Sequence, residues 1–185
     1  GWVEPQDSRD SFQPLEMFRD KTFLGIWLMF FLNIHCGLAL ITYEKQILST
    51  AFAGGAALAA VISVVPSVTA AFNALGRIGF STLSDRMRDR NTVYKIIFIS
   101  CIAVTALGSA TFAISRGPTS ALFGVIVVAL LIVVNAGYGG GFSTLPALLS
   151  SRFGMERISK IHGLALSAWA FAGLHGNNKS ALIPS

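Results

Sequence analysis

Long stretches without a charged residue are the feature that most limits how this sequence can fold. Four of them are TFLGIWLMFFLNIHCGLALITY (22–43), AFAGGAALAAVISVVPSVTAAFNALG (51–76), IIFISCIAVTALGSATFAIS (96–115) and the segment 117–151. A helix needs about 20 apolar residues to cross the hydrocarbon core of a bilayer. Each stretch is therefore long enough for a membrane helix, and IHGLALSAWAFAGLHGNN (161–178) is a shorter fifth candidate.

The composition argues against a soluble domain. Charged residues make up 12% of the chain, hydrophobic residues 53%, and the mean hydropathy is +0.64, whereas a soluble domain has about 25% charged residues. Helices that are apolar on all sides fit only a membrane or the core of a much larger protein. The sequence predicts an all-α, polytopic transmembrane helix bundle. The five helices are expected at about 22–43, 54–82, 94–115, 120–149 and 160–176.

The basic residues indicate an orientation. Nine of them precede the first helix or lie in the second-to-third and fourth-to-fifth connections, whereas only Lys45 and Arg116 lie on the other side. By the positive-inside rule, the nine-residue side faces the cytoplasm. This distribution accounts for the net charge of +5 without a nucleic-acid partner. We therefore expect a multi-pass protein of the plasma or inner membrane, with residues 1–20 as a cytoplasmic segment.

The sequence offers little that would support an enzyme. The predicted helices contain no acidic residue and no nucleophile and base at helical spacing. Cys36 and Cys101 lie in separate apolar stretches, where they are expected to be small buried hydrophobic residues, not a disulfide or a metal pair. No catalytic residue, metal ion or cofactor is predicted. A membrane protein without enzymatic activity, such as a sensor, fits these residues better than an enzyme does.

Arg77 is the most informative single residue. It lies in FNALGRIGFSTLSDRMRDR (72–90), eight residues before Asp85. If the helix continues to Ser84, the arginine is well inside the bilayer, where an ionisable group is costly and indicates a functional site. If the helix ends near Gly76, Arg77 extends to the membrane surface. The spacing leaves both interpretations open.

Several segments resemble one transporter family. STLSDRMRDR (81–90) is similar to the loop between helices eight and nine of the major facilitator superfamily, where the pattern is Gly-x-x-x-Asp-Arg-x-Gly-Arg-Arg. Asp85 and Arg86 match that pattern, while Ser81, Arg88 and Asp89 depart from it. The segments that resemble the oxalate/formate antiporter branch are WLMFFLN, NALGR, NAGYGGGFSTLPALLSSRFG and IHGLALSAWAFAGLHGN.

The resemblance implies a fold and an extent. Residues 21–178 would form helices seven to eleven, a partial C-terminal half of a twelve-helix carrier. An N-terminal half that this chain lacks would supply the opposite wall of the substrate site. Residues 179–185 depart from the family and would be an aberrant or truncated tail.

The resemblance also implies an activity, namely secondary active transport of small organic anions by alternating access. Arg77 matches the arginine that contacts the substrate carboxylate. Trp169 stands where the oxalate carriers have a lysine, and the loss of that cation favours a monocarboxylate such as formate or pyruvate over oxalate. Asn33 and Tyr138 are further substrate-binding candidates, although each is also a plausible packing residue.

Asp85, Arg86 and Arg90 would form a cytoplasmic gate in such a carrier. A carboxylate there can pair with a neighbouring arginine or with the positive end of a helix and hold this side closed. The alternative is a solvated loop whose arginines only set the topology. Alternatives to a working transporter also stay open: a degenerate paralogue or an inactive truncated carrier fragment.

Overall fold

The structure is a computed structural model that describes residues 14–115 and 121–180, and these residues form helices and no strand. In chain order the helices are α1 (Pro14–Met17), α2 (Lys21–Thr42), α3 (Glu44–Ala51), α4 (Leu58–Arg86), α5 (Asn91–Ser115), α6 (Ala121–Phe153), α7 (Ile158–Ala165) and α8 (Ser167–Ser180). Three parts of the sequence-based prediction lie outside the described residues: most of the 1–20 segment, Arg116, and most of the 179–185 tail.

Four of these helices, α2, α4, α5 and α6, are long and apolar enough to cross a membrane. Large hydrophobic side chains are exposed along α4 and α5, including Leu75, Ile78, Ile99 and Ile102. Such a surface suits lipid and would be an aggregation hazard in water. The predicted all-α transmembrane bundle is confirmed.

Every predicted helix differs from the structure by one to four residues at one or both ends, and in two of them a turn or a break accounts for the difference. The second was expected over 54–82 but begins at Leu58 and ends at Arg86. Gly54 adopts a φ of 75°, a left-handed conformation that glycine accepts without steric cost. This turn separates α4 from the short helix α3.

The fifth predicted helix is interrupted. Leu166 separates α7 from α8, and the Trp169 N–H bonds to the Leu166 carbonyl three residues earlier at 3.0 Å. A bond of this span belongs to the tighter 3₁₀ turn. Just after this break, the Trp27 indole N–H donates to the Ser167 hydroxyl at 2.9 Å and ties α8 to α2.

Helix α6 is the centre of the bundle. It packs against α2, α4 and α5, and it is the most buried of the four long helices. The main core unites α2 with the second half of α6 and with α7 and α8. Its fully buried members include Phe23, Phe30, Leu145 and Leu148.

Glycines bring the backbones of α4 and α6 into contact. A Cβ added at Gly76 would collide with the backbone of Ala136, and one added at Gly139 would collide with the backbone carbonyl of Asn73. Only glycine permits this approach. Gly137 and Gly141, on the same helix, face side chains of α5 and α2 instead.

We predict that Gly139→Val destabilises the bundle by about 1–3 kcal/mol, because the new side chain would meet backbone atoms that cannot move aside. Thermal unfolding in detergent would measure the loss. Gly79→Val is the matched control, because a Cβ at Gly79 meets nothing within 4 Å. Equal losses in the two variants would contradict the proposed role of the α4–α6 backbone contact.

Candidate functional site

Arg77 lies inside a continuous helix. Helix α4 runs nine residues beyond it to Arg86, a distance of about 13 Å at roughly 1.5 Å per residue. The interpretation in which the helix ends near Gly76 is therefore wrong. The arginine lies within the candidate membrane span Leu58–Arg86, and its side chain is exposed on the surface of the bundle.

Three neighbours define the environment of Arg77. Its Nε donates to the Asn73 side-chain oxygen at 3.4 Å, one turn earlier on α4. Its guanidinium carbon lies 5.7 Å from the centroid of the Phe142 ring, within the range of a cation–π contact. Its carbonyl accepts a hydrogen bond from the Ser143 hydroxyl at 2.9 Å. Helix α6 thus fixes both the backbone and the side chain of Arg77, and no carboxylate of the described chain pairs with the guanidinium.

An open pocket of about 470 Å³ lies beside this arginine, between α4, α6, α7 and α8. Its lining combines a cation, aromatic rings and hydrogen-bonding groups: Arg77, Tyr138, Phe142, Ser143, Pro146, His162, Leu166 and Trp169. Three of the four predicted substrate-binding residues, Arg77, Tyr138 and Trp169, therefore share one pocket.

Aromatic side chains form most of one wall. The Phe142 ring contacts Tyr138 edge-on, with centroids 5.2 Å apart, and Trp169 at 6.5 Å. Tyr138 is half-buried and interacts electrostatically with the Trp169 side chain and the Arg77 charge. Trp169 is 51% exposed. Its indole faces the pocket and is accessible to a ligand.

Asn33 lies elsewhere. It is 4% exposed, and its amide nitrogen donates to the Gly137 carbonyl at 3.4 Å across the α2–α6 contact. It borders a separate cavity of about 20 Å³ with Cys36, Cys101 and others. Among the described residues its side-chain oxygen has no partner. A cavity of this size is large enough for one water, but not for a carboxylate substrate.

His162, Phe142 and Ser143 are pocket residues that sequence reasoning missed. His162 lies on α7 and lines the pocket together with Trp169. For His162, the spacing of residues in the sequence could have indicated its place in the pocket. His162, Leu166 and Trp169 follow one another at intervals of four and three residues, which places them on one helix face.

Comparison with known proteins decides the family. A sequence model of the Major Facilitator Superfamily matches residues 3–176. The chain belongs to the Major Facilitator Superfamily. No curated protein and no solved structure gives a significant match. Members of this superfamily are membrane transporters rather than enzymes, and the chain is an integral, multi-pass membrane protein of this transporter superfamily.

The predicted gate residues of this superfamily member lie at the end of the bundle where α4 ends and α5 begins. Asp85 pairs with Arg90 at 3.3 Å, and Arg152 from the end of α6 pairs with Asp89 at the same distance. Arg86 is exposed and pairs with no carboxylate within the described ranges. The contact that ties the α4–α5 connection to α6 is thus made by Asp89, which is not among the predicted gate residues.

Two other predictions about polar residues need correction. Cys36 is exposed and Cys101 is partly exposed, and both are free thiols, so Cys36 is not the buried residue that was expected.

Glu44 begins α3, is 7% exposed and accepts a 2.6 Å hydrogen bond from the Thr69 hydroxyl. Acidic residues are therefore present in the helices. Glu44 lies just after the predicted end of the first helix, and pattern alone gave no reason to expect a helix there.

We expect the Asp85–Arg90 and Asp89–Arg152 pairs to contribute little to stability, because exposed ion pairs contribute about 0–1 kcal/mol each. The free energies of unfolding of Asp85→Asn and Asp89→Asn should therefore lie within about 1 kcal/mol of that of the unsubstituted chain. Double-mutant cycles with Arg90→Gln and Arg152→Gln in detergent would measure the coupling. A coupling several times larger would show that partial burial strengthens one of these contacts.

Proposed function

We propose that this chain forms the anion-binding wall of a secondary active transporter for small organic anions, which works by alternating access. The observation that supports it is Arg77, a cation in a membrane-spanning helix, at the edge of an open pocket. A guanidinium cannot lose its proton and offers two parallel donors to a carboxylate. The pocket therefore presents one fixed positive charge.

The free-energy cost of placing the Arg77 charge in a membrane supports a functional role for this residue. An arginine at membrane depth is expensive unless it faces a cavity or a partner. Among the described residues Arg77 has an amide, an aromatic ring and no carboxylate as its neighbours. A bound organic anion would supply the missing counter-charge. The site thus favours substrate binding over a purely structural salt bridge.

The pocket lining favours a monocarboxylate, such as formate or pyruvate, over the dianion oxalate. Arg77 is the one permanently charged side chain in the lining, and Trp169 supplies a ring and an N–H in place of a second cation. Tyr138 and His162 are positioned as additional hydrogen-bond donors. A single positive charge balances a monoanion and leaves a dianion with an uncompensated buried charge.

We further propose that the chain corresponds to helices seven to eleven of a twelve-helix carrier of the oxalate/formate antiporter type. The pocket is open on one side, as expected if an N-terminal half closes it in the complete carrier. Rocking of the two halves would then expose the anion to each side of the membrane in turn.

In the complete carrier, Arg77→Gln and Arg77→Lys are both expected to abolish most carboxylate binding. Glutamine removes the charge, and lysine keeps the charge but cannot form the bidentate contact. Binding of labelled formate and pyruvate to the purified carrier would measure the effect. Arg88→Gln, an exposed cation outside the pocket, is the control for charge loss. Unchanged affinity in both Arg77 variants would disprove the assignment.

Counterflow in proteoliposomes would test the exchange mechanism. We expect unlabelled monocarboxylate inside the vesicle to accelerate uptake of the labelled compound by the complete carrier, because a loaded site reorients and an empty site does so slowly. Binding without counterflow would instead identify a sensor or an inactive paralogue. If neither is observed with any monocarboxylate or with oxalate, the organic-anion hypothesis fails.

A further inference from the structure

A second pocket lies at the end of the bundle where α2 and α5 begin and α6 ends, and it shares no residue with the Arg77 pocket. We propose that it binds the phosphate head group of an anionic phospholipid. The argument rests on its own charges and lining, and it does not depend on the transported substrate.

The charged side chains that line this pocket are all positive. Its lining includes three cations, Lys21, Lys95 and Arg152, each on a different helix, and no acidic side chain. Thr22 and Asn91 add two neutral groups that can donate hydrogen bonds. Three cations converging from three helices around about 400 Å³ suit a phosphate, whose oxygens accept several charge-assisted bonds.

Two of these cations are available for a ligand. Lys21 and Lys95 are exposed, and neither forms an ion pair with the carboxylates that the structure describes. The nearby carboxylates have other partners. Asp20 accepts from the Thr22 and Phe23 N–H groups at the start of α2, and Asp89 pairs with Arg152. The ammonium groups of the two lysines are therefore the free charges of the pocket.

The rest of the lining favours a lipid over a soluble phosphate. Gly25, Ile26 and Met29 continue the pocket along α2 toward the middle of the membrane. A Cβ at Gly25 would meet nothing within 4 Å, so there is open space beside the helix. Helices α2 and α5 pack on α6 much more than on each other. An acyl chain can follow this groove while the head group stays at the basic end.

The depth of the pocket fits a head group as well. Lys21 is the first residue of α2, Lys95 lies in the first two turns of α5, and Arg152 is in the last turn of α6. Basic residues at helix ends lie at the level of the lipid phosphates. Basic pockets between transmembrane helices are a known arrangement for anionic lipid head groups.

The test compares lipids on the 185-residue chain itself. The protein is purified in a zwitterionic detergent and titrated with phosphatidylglycerol, phosphatidylcholine or inorganic phosphate, and bound molecules are measured by native mass spectrometry. We expect phosphatidylglycerol to bind and the other two to bind much more weakly. Equal binding of phosphatidylcholine would overturn the head-group assignment. Equal binding of inorganic phosphate would show a free-anion site instead of a lipid site.

Substitutions of the pocket lysines test where the lipid binds. Lys21→Gln with Lys95→Gln should weaken phosphatidylglycerol binding about 25-fold, because one basic residue near an anionic surface contributes about 1 kcal/mol, or roughly fivefold. The matched control removes two exposed cations outside the pocket, Lys45→Gln with Arg88→Gln. The control should bind as the unsubstituted chain does. An equal loss in both double variants would show a general charge effect and refute the proposed site.

Discussion

The backbone contact between α4 and α6 is the constraint on which the rest of the bundle depends. Gly76 meets the backbone of Ala136 and Gly139 meets that of Asn73, so the two helices lie closer than side chains would allow. Membrane helices have little hydrophobic drive to associate, and close van der Waals packing takes its place. The Ser143 hydroxyl bonds to the Arg77 carbonyl within this contact. The position of α4 on α6 is thereby fixed at the level of the candidate site.

The same contact builds the Arg77 pocket. Because α4 and α6 touch at Gly76 and Gly139, the next turns bring Arg77 beside Phe142. On either side of the break at Leu166, His162 and Trp169 complete the lining of this pocket. A charge in the membrane and an aromatic wall thus result from glycine packing on one side and an interrupted helix on the other. The basic pocket at the bundle end depends on different contacts, those of α2 and α5 with α6.

Sequence patterns predicted the structure best where the lipid bilayer itself constrains the chain. A bilayer requires long apolar helices and clusters charges at their ends, so the four long helices could be predicted. Patterns were least informative at helix ends and in packing. The turn at Gly54 delays the start of α4 to Leu58, Leu166 interrupts the fifth predicted helix, and Glu44 begins a helix where none was expected. Asn33 faces a helix contact because α2 rotates it toward Gly137, and one-dimensional spacing does not determine that rotation.

By itself the sequence determined the all-α membrane bundle and Arg77 as the residue to explain, because uncharged stretches of this length have few other stable solutions. Only the tertiary structure decided which side chains share a pocket. It placed Tyr138, Trp169 and the unpredicted His162 with Arg77, and it placed Asn33 elsewhere. It also gathered Lys21, Lys95 and Arg152 from three helices into one basic pocket. The physical reason is that pockets form from the rotation and separation of packed helices, which depend on contacts between residues far apart in the chain.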